Sequence, residues 1–577
     1  MMINIENWFR EHHVTFTNLP TLSSWDLKSL PPFKQLLDIE KAADIILQNL
    51  ESNSLIGIFG DYDVDGTTSC ALFYHFFTQL KLPHTPLIKC YQPGRFKEGY
   101  GLHVHSVELA KSENVSLLIT VDCGITSIEA AKRAQELHLD LIISDHHQDA
   151  APEMPIVNAL VNPNRRDQTY QTAEAEQLRC LAGVGVAFAI CVIVREKLIQ
   201  KNYSCDSLYK LLPFYALGTI SDLATLNSMN LRLVRHGLKL LTETTYPGLV
   251  ALLDGKEFSK KYLDSDLIGF HLGPLLNAKG RMDHPELALE LLTTLDPERA
   301  KNLAYHLFEV NQKRKETQIK ILNEAKIELT RELNLSGEKT LPIAIAYNPK
   351  WHEGVIGIVA AKLVDFFQCP ALVFTKTEDG NFIKASARTF KNLDLFELLK
   401  TTEDLFEKFG GHRAAAGMTM KEENLFELKT RLKSKVLEQA RIADLSPKVE
   451  DKIPYLQIPF SEINEALLEN IYQHGPYGQG HPMPLLKIQQ CKIIKYSILK
   501  DEHVKWTIMD TNPTNQTVLN ALSFYYFSKN QVLHPEELVR SQANFSISLI
   551  GHLKVNTFRK KDFMQFLIND LRINPKL

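Results

Sequence analysis

LIGIFGDYDVDGT, residues 55–67, joins a short apolar run to a loop in which three aspartates stand at alternate positions. The run 55–59 has the length and the large apolar residues of a strand buried on both faces. The same pattern recurs at 117–121 (LLITV) and 139–143 (LDLII), and acidic residues and a helical segment follow each run. Strands alternating with helices predict βαβ units and a parallel sheet. Ligands of such sheets bind beyond the carboxyl ends of the strands, where these acidic residues stand.

The carboxylates of Asp61, Asp63 and Asp65 repel one another at this spacing, and a divalent cation is the usual solution. An EF-hand is excluded because its loop needs a glutamate at the twelfth position, which here is Leu72. A phosphate-binding P-loop is excluded because no GKS or GKT sequence follows. A solvated acidic turn stays open as the alternative.

Further candidate ligands follow the later apolar runs. Taken singly, an aspartate at a strand end caps the next helix, and a lone histidine is usually a core residue. Together they predict a mixed oxygen and nitrogen site suited to Mn²⁺ or Mg²⁺, and the absence of close Cys/His pairs argues against structural zinc. These candidates are Asp122, Asp145, His146, His147 and, after the apolar stretch 215–220, Asp222.

The chain has 577 residues, which predicts three to five domains and excludes a small binding module. Hydrophobic residues make up 44% and charged residues 23%, so a disordered or fibrous protein is not expected. The net charge is -3, but residues 481–577 hold 13 Lys and Arg against 7 Asp and Glu. This basic end suits a polyanionic partner.

Cysteine usage and hydropathy predict a cytoplasmic protein without a membrane span. The eight cysteines form no CxxC pair, which is typical of reduced thiols. Glu6 and Glu11 stand in an N-terminus without an apolar run, so no secretory signal is expected. The apolar, uncharged run 180–194 has 15 residues and predicts a buried helix, since a span needs about 18–20.

The stretch 298–336 lacks Gly and Pro and predicts a helix on the order of 58 Å long, able to join two bodies. Two helices with a break near 312–317 are the alternative. Beyond it, strands at 342–347 and 371–374 and a helix at 354–367 predict a second α/β domain. Short strands then predict a small β-barrel, at 487–496, 504–509, 517–524, 545–553 and 563–568.

Four motifs resemble, in order and spacing, those of the DHH phosphoesterase superfamily: DYDVDG (61–66), VDCG (121–124), SDHH (144–147) and GTISDLA (218–224). Other segments are similar to those of its bacterial single-strand-specific exonucleases: PGRFKEGYGL (93–102), LAGVGVAF (181–188), LNAKGRM (276–282), WHEGVIGIVA (351–360), ASAR (385–388), GGHRAAAGM (410–418) and GPYGQGHPMP (475–484). The resemblance covers about residues 50–577. It implies a parallel-sheet DHH domain joined by a long helix to a smaller α/β DHHA1 domain, plus a C-terminal all-β oligonucleotide-binding (OB) barrel. The expected divisions are an N-terminal segment (1–50), the DHH domain (51–230), a helical connector (231–336), the DHHA1 domain (337–446) and the OB domain (447–577).

The resemblance also implies roles for the candidate ligands. Asp63 and Asp122 would hold one metal, and Asp122 would bridge to a second, whose ligands would be Asp65, Asp122, His146 and Asp222. Some members place a histidine where this chain has Phe59, and Asp61 would substitute for it. His147 would face the scissile phosphate, with Asp145 orienting it.

Two cations suffice for hydrolysis, since they can activate water and stabilise both the attacking and the leaving oxygen. No protein nucleophile is then required. Cys123 and Ser144 are therefore expected to be structural.

An arginine on its own is usually a solvated surface residue, but the family-matched contexts imply a cleft that holds the DNA backbone and the 5′-phosphate. Ser386 and Arg388 are the first candidates for the phosphate, and Arg95 is the second. The complete set is Arg95, Arg281, Ser386, Arg388, His412 and Arg413. In the basic C-terminal part, Trp506 and Tyr496 are candidates for base stacking, and the alternative is that such aromatics fill the barrel core.

The function expected is a 5′-to-3′ exonuclease specific for single-stranded DNA, which uses Mn²⁺ or Mg²⁺ and releases mononucleotides in recombination and repair. Single-stranded DNA is the expected partner, with single-strand-binding protein and a helicase as further candidates, and a monomer is expected. One alternative is a phosphodiesterase for short oligoribonucleotides or cyclic dinucleotides, which would not need a basic OB domain. The other is a non-catalytic nucleic-acid-binding scaffold, which should have lost metal ligands.

Overall fold

The structure is a computed structural model that describes residues 5, 27, 30–96, 98–149, 151–338, 340–391, 393–445, 455–500, 502–512, 517–524, 526–528, 533–541 and 545–575. The predicted division between residues 446 and 447 lies outside these residues, as does most of 1–29. The described chain forms two α/β domains, a long helix between them and a β-barrel.

The first domain is built on a five-stranded sheet with strand order β2-β1-β3-β4-β5, and every neighbouring pair is parallel. Separate apolar clusters cover its two faces, which explains why the strands are continuous apolar runs. The parallel α/β prediction is confirmed. The elements are α1 (Ile39–Glu51), β1 (Leu55–Gly60), α2 (Val64–Thr78), β2 (Leu87–Tyr91), α3 (Val104–Ser112), β3 (Leu117–Val121), α4 (Ile128–Glu136), β4 (Asp140–Ser144) and β5 (Ala159–Val161).

A helical section follows and packs on one face of this sheet. The apolar stretch 180–194 lies almost wholly in one buried helix, as predicted. The apolar cluster that begins at Phe33 continues through this section to Leu307, beyond the predicted division at 230, which itself falls within a helix. The elements are α5 (Ala173–Glu176), α6 (Gly183–Gln200), α7 (Leu212–Ser221), α8 (Ser228–Leu241), α9 (Pro247–Leu253), a π-helix (Leu267–Leu272), α10 (Gly273–Leu276), α11 (Ala278–Met282) and α12 (Glu286–Thr293).

The long helix α13 (Pro297–Ser336) is unbroken, so the two-helix alternative is wrong. The Asp296 side chain accepts hydrogen bonds from the amides of residues 298 and 299 at its start, and Gly337 ends it at a φ of 69°. Its first turns pack in the core of the first domain, and its last turns pack in that of the second. Within the described residues, no helix combines the length and apolar character needed to cross a bilayer.

The second α/β domain has a mixed sheet with strand order β6-β7-β8-β10-β9, in which only the first pair is parallel. Its strands and first helix match the prediction for 342–374 closely. The elements are β6 (Ala344–Tyr347), α14 (Glu353–Phe367), β7 (Ala371–Lys376), β8 (Ile383–Arg388), α15 (Leu395–Lys400), β9 (Phe406–His412), β10 (Ala415–Met420) and α16 (Leu425–Leu445).

The C-terminal sheet has strand order β11-β12-β13-β14-β16-β15 and closes through an additional β12–β15 pairing. Closure into a small barrel confirms the OB-like prediction, and all five predicted strands are present. The elements are β11 (Leu456–Ile458), α17 (Glu465–Gln473), β12 (Leu486–Leu499), β13 (His503–Asp510), β14 (Val518–Ser523), α18 (Pro535–Ser541), β15 (Phe545–Phe558) and β16 (Lys561–Pro575).

Close backbone contacts fix the second domain and the barrel against the first domain. A Cβ added at Gly354, in the first turn of α14, would lie 1.7 Å from the carbonyl oxygen of Arg281 in α11. On the barrel side, the amide of Leu226 donates to the Gln479 carbonyl at 2.8 Å. The spacing between the domains therefore depends on a glycine at position 354.

We expect Gly354→Ala to destabilise the protein by about 1–3 kcal/mol, because the added methyl group must push α14 away from α11. Chemical denaturation followed by circular dichroism measures this loss. Gly269→Ala is the matched control, since no atom lies within 4 Å of its added Cβ. Equal stability of the two variants would show that the helices do not meet at position 354.

Candidate active site

The loop after β1 and the first turn of α2 place Asp61, Asp63 and Asp65 at the carboxyl end of β1. Asp61 is buried at 4% exposure. Asp63 is the N-cap of α2, and its Oδ1 accepts hydrogen bonds from the amides of Asp65 (2.9 Å) and Gly66 (3.1 Å). The same residues that begin the helix therefore fix the carboxylates at the sheet edge.

Asp65 is buried in the first turn of α2 and faces the N-terminus of α6. Its two carboxylate oxygens accept hydrogen bonds from the amides of Gly183 (2.6 Å) and Val184 (2.9 Å). A Cβ at Gly183 would lie 2.6 Å from the Asp122 Cβ, and one at Gly218 would lie 2.6 Å from Asp65 Oδ1. These two glycines allow α6 and α7 to approach the carboxylates.

Asp122 follows β3 and lies at the centre of the site. It is 2% exposed and adopts a φ of 62°, a left-handed conformation that is uncommon outside glycine. Its Oδ1 is 3.1 Å from His146 Nε2 and 3.9 Å from His147 Nδ1. The left-handed turn directs this carboxylate back over the sheet edge.

Asp222 reaches the site from the end of a helix, whereas Asp61, Asp122 and Asp145 follow strands. It is the C-cap of α7, and its Oδ2 is 3.9 Å from His146 Nε2. The apolar stretch before it is helical because all of its residues pack in a helical layer, where alternation is not needed.

Three groups of these side chains have ligand atoms within 4.8 Å of one another, and Asp122 and His146 each occur in two groups. Asp61 Oδ1, Asp122 Oδ1 and His146 Nε2 are buried without a hydrogen-bond partner. Buried polar atoms without partners that converge on one space fit divalent cations. The groups are Asp61, Asp63 and Asp122; Asp65, His146 and Asp222; and Asp122, His146 and His147.

The electrostatics favour the same conclusion. Burial and the neighbouring carboxylates raise the pKa of Asp122 well above its usual range. Burial and adjacent aspartates raise the pKa of Asp65 and of Asp222 to about 7. Burial lowers the pKa of His146, which keeps its ring neutral and able to act as a nitrogen ligand. Bound cations would relieve the repulsion that disfavours the ionised form of these carboxyl groups.

His147 is held by two partners on one side of its ring. Its Nδ1 lies 2.8 Å from Asp145 Oδ1 and 2.9 Å from the hydroxyl of Tyr100. Burial lowers the pKa of His147, but the Asp145 hydrogen bond and the surrounding carboxylates raise it to about 9. Asp145 is fully buried and also accepts from the amide of Ile125 at 2.9 Å. The geometry therefore gives Asp145 a positioning role and leaves Nε2 on the far side of the ring.

An arginine cluster lies beside the carboxylates. Burial and the guanidinium groups of Arg95, Arg314 and Arg388 lower the pKa of Arg281 to about 10, and Asp63 opposes this effect. Arg95 stacks over the ring of Tyr62 at 5.1 Å. Within the described chain, none of these four arginines has a carboxylate oxygen within 4.0 Å. Positive charge without a protein counter-charge predicts an anion-binding site.

Ser386 and Arg388 lie together on β8, and the guanidinium donates to Ser386 Oγ at 3.0 Å. A Cβ at Gly357, in α14, would lie 2.9 Å from Ser386 Oγ and 3.2 Å from Arg388 Nη2. The pair thus depends on a glycine opposite it. His412 ends β9 and Arg413 lies in the turn that follows it, and both are exposed next to the end of β8.

The stacking prediction is wrong for Trp506. Its side chain is fully buried in the barrel core, and Nε1 donates to Ser523 Oγ at 2.9 Å. The alternating pattern of β13 directs it inward, which sequence composition alone does not show. Tyr496 is partly exposed, with its ring 6.4 Å from that of Trp506, and stays a candidate.

Sequence reasoning missed several residues at the site. Gln92 donates to the backbone carbonyl of Asp61 and to Thr67 Oγ1, both at 2.9 Å, and so fixes the acidic loop. Tyr100 contacts His147, and it stands in the quoted segment 93–102, the one signal that could have identified it. The sequence does not identify Arg314 as a site residue, because a lone arginine on a helix is expected to be exposed to solvent.

Three family models match the chain in order. They are the DHH family N-terminal domain at residues 55–219, the DHHA1 domain at 340–438 and the RecJ OB domain at 456–570. The fold and the site therefore define a phosphoesterase of the DHH type.

Known relatives narrow this class. The chain is 33% identical over 561 residues to the single-stranded-DNA-specific exonuclease RecJ of Bacillus subtilis. The aligned region covers 96% of this chain and 65% of that protein. The chain is 31% identical to RecJ of Salmonella typhimurium, and the aligned region covers 94% of this chain and 92% of that protein. The chain belongs to the RecJ family of single-stranded-DNA-specific exonucleases. A crystal structure of Thermus thermophilus RecJ in complex with Mn²⁺ superposes with a TM-score of 0.71 at 23% identity, over 94% of this chain and 72% of that one.

We expect Asp122→Asn to abolish tight Mn²⁺ binding, because Asp122 belongs to two of the ligand groups. The metal-free variant should be at least as stable as wild type, since one of several repelling carboxylates is removed. Titration calorimetry and thermal unfolding with and without Mn²⁺ measure both effects. Wild-type Mn²⁺ affinity in the variant would contradict the central role of Asp122.

Metal affinity should rise with pH. The pKa of Asp65 and of Asp222 is raised to about 7, so protons occupy part of these carboxyls at neutral pH in the metal-free protein. Cations bind the ionised form, and binding must release those protons. We expect Mn²⁺ affinity to rise about tenfold or more from pH 6 to pH 8. Calorimetry in two buffers of different ionisation enthalpy measures the protons released, and a pH-independent affinity would contradict the assignment.

Proposed function

We propose that the protein is a metal-dependent exonuclease that removes mononucleotides from the 5′ end of single-stranded DNA. One observation carries this proposal: α11 contacts both the acidic loop and the second domain, because a Cβ at Gly280 would lie 3.2 Å from the Tyr62 carbonyl oxygen and a Cβ at Gly354 would lie 1.7 Å from the Arg281 carbonyl oxygen. The acidic site of the first domain and the phosphate-binding candidates of the second domain therefore share one cleft. A phosphodiester substrate needs both the acidic site and the positive groups. Its scissile bond must reach the cations, and the negative charge of its phosphates must be neutralised.

The chain's own residues perform the positioning. The candidate ligands of two divalent cations, Mn²⁺ or Mg²⁺, are Asp61, Asp63, Asp65, Asp122, His146 and Asp222. When bound, such cations activate water and stabilise the leaving oxygen. Asp145 and Tyr100 hold Nδ1 of His147, which directs Nε2 to a substrate phosphate. Arg281 and Arg95 balance the phosphate charge beside the carboxylates.

The direction of digestion follows from Ser386 and Arg388. An Arg–phosphate contact is a short, charge-assisted hydrogen bond, so a terminal phosphate would be held firmly by this pair. Gly354 fixes α14, which carries Gly357 against the pair, at a set distance from the first domain. The spacing between the domains then determines which bond lies over the acidic site.

The alternatives are less well supported. A scaffold that had lost its activity would not need the acidic groups, yet all of them are present and converge. A phosphodiesterase for short oligoribonucleotides or cyclic dinucleotides would not need the basic barrel, which docks on the first domain through Leu226. A cytoplasmic location, a monomeric state and partnership with single-strand-binding protein or a helicase stay predictions.

Digestion of single strands labelled at either end tests the function. We expect loss of 5′-labelled mononucleotides first, with Mn²⁺ or Mg²⁺ required and EDTA abolishing the reaction. A blunt duplex should resist, and Asp122→Asn should retain less than a tenth of the turnover. Release of the 3′ label first would overturn the proposed direction.

We expect wild type to prefer a 5′-phosphorylated strand to a 5′-hydroxyl strand, and Arg388→Ala to lose most of this preference. Gly357→Ala should lose part of it with both side chains retained, because the added methyl group displaces the tips of Ser386 and Arg388. Competition between the two substrates measures the ratio of kcat/KM. Full preference in Arg388→Ala would move the role to Arg95 or Arg281.

A further inference from the structure

The inward face of α13 changes its chemistry at mid-length. Buried positions recur at three- and four-residue spacing along the whole helix. A stripe that only joined two cores would be apolar throughout. The apolar members are Ala300, Leu303, Ala304 and Leu307 in the first section and Ile321, Ala325 and Leu329 in the last. Between them the stripe consists of Asn311, Arg314 and Gln318.

Arg314 is 6% exposed, and no other arginine or lysine in the described part of the chain is buried. Its Nε donates to Asn311 Oδ1 at 3.0 Å, and its Nη1 donates to Gln318 Oε1 at 3.3 Å. Both acceptors are neutral amide oxygens. They hold the plane of the guanidinium group without cancelling its charge.

A second guanidinium group, that of Arg281, belongs to a helix that packs against α13. Helix α11 packs against α13, and the charge of Arg314 repels that of Arg281. Burying a charge is unfavourable unless an opposite charge accompanies it. An arginine that served only to link the domains would pair with a carboxylate, and among the described residues Arg314 has none within 4.0 Å. The opposite charge must therefore come from a ligand.

We propose that Arg314 is a substrate-binding residue that, together with Arg281, binds the oxygens of a DNA phosphate inside the cleft. Guanidinium groups bind phosphate oxygens in pairs of parallel hydrogen bonds, which fits two adjacent arginines. Because Arg314 lies on the helix that joins the domains, the phosphate would be bound at the centre of the molecule. The identification of the phosphate with DNA rests on the proposed function.

Two substitutions and a control separate ligand binding from a structural role. Arg314→Met keeps the length of the side chain and removes the charge. Gln318→Glu keeps the size of its side chain and places a carboxylate against Nη1. Lys320→Met removes an exposed charge from the same helix. It measures how much the loss of any positive charge from this helix changes stability and ligand binding.

Thermal unfolding without ligand gives the first result. Arg314→Met and Gln318→Glu should be as stable as wild type or more stable, because the first removes the uncompensated buried charge and the second places an opposite charge beside it. A lower melting temperature in both variants would assign Arg314 a structural role and overturn the proposal.

Inorganic phosphate gives a second result that does not depend on digestion of DNA. At constant ionic strength, phosphate should raise the melting temperature of wild type and of Lys320→Met. In Arg314→Met and Gln318→Glu, the increase in melting temperature should be less than half of the wild-type increase. Equal shifts in all four proteins would overturn the proposal. If wild type failed to digest single strands but phosphate still stabilised it in this pattern, the proposed function would fail and this site would stand.

Digestion kinetics give the third result and identify the phosphate. In Arg314→Met, KM for a single strand should rise tenfold or more, while kcat falls less. A rise confined to 5′-phosphorylated strands assigns the terminal phosphate, and an equal rise with 5′-hydroxyl strands assigns an internal one. An unchanged KM with both substrates would overturn the proposal.

Discussion

Repulsion among buried carboxylates at one edge of a parallel sheet is the constraint on which the site depends. Asp122 is almost fully buried and belongs to two of the three ligand groups, and its pKa is raised well above the usual range by burial and by its neighbours. A buried carboxylate of this kind destabilises the metal-free fold, so the surrounding structure must hold it in position. The left-handed turn at Asp122, the amides of α6 on Asp65 and the cap at Asp63 provide this enforcement.

The arginines present the opposite problem in the same cleft. Arg314 is buried and Arg281 is partly buried near other positive groups, and among the described residues neither has a carboxylate oxygen within 4.0 Å. The protein keeps the two sets of charges apart instead of pairing them in ion pairs. Separation of this kind suits a ligand that brings its own negative charge and binds cations as well. A phosphodiester chain with divalent cations satisfies both sets at once.

Small residues set the distances at which these groups meet. Gly183 and Gly218 let two helices touch the carboxylates, and Gly354 and Gly357 let α14 contact α11 and the Ser386–Arg388 pair. None of these four glycines adopts a positive φ. Their role is the absence of a side chain, which allows backbone to approach the site closely.

The sequence by itself determined the parallel sheet, the acidic loop and the long helix, because each depends on local patterns: apolar runs, alternate aspartates, and a stretch without Gly or Pro. Only the tertiary structure decided that Asp222 arrives from a helix end and that Trp506 fills the barrel core. It also decided that Arg314 is buried beside Arg281. Burial depends on what packs against a residue from elsewhere in the chain, and an arginine on a helix has the same local sequence signature whether its partner is water or phosphate.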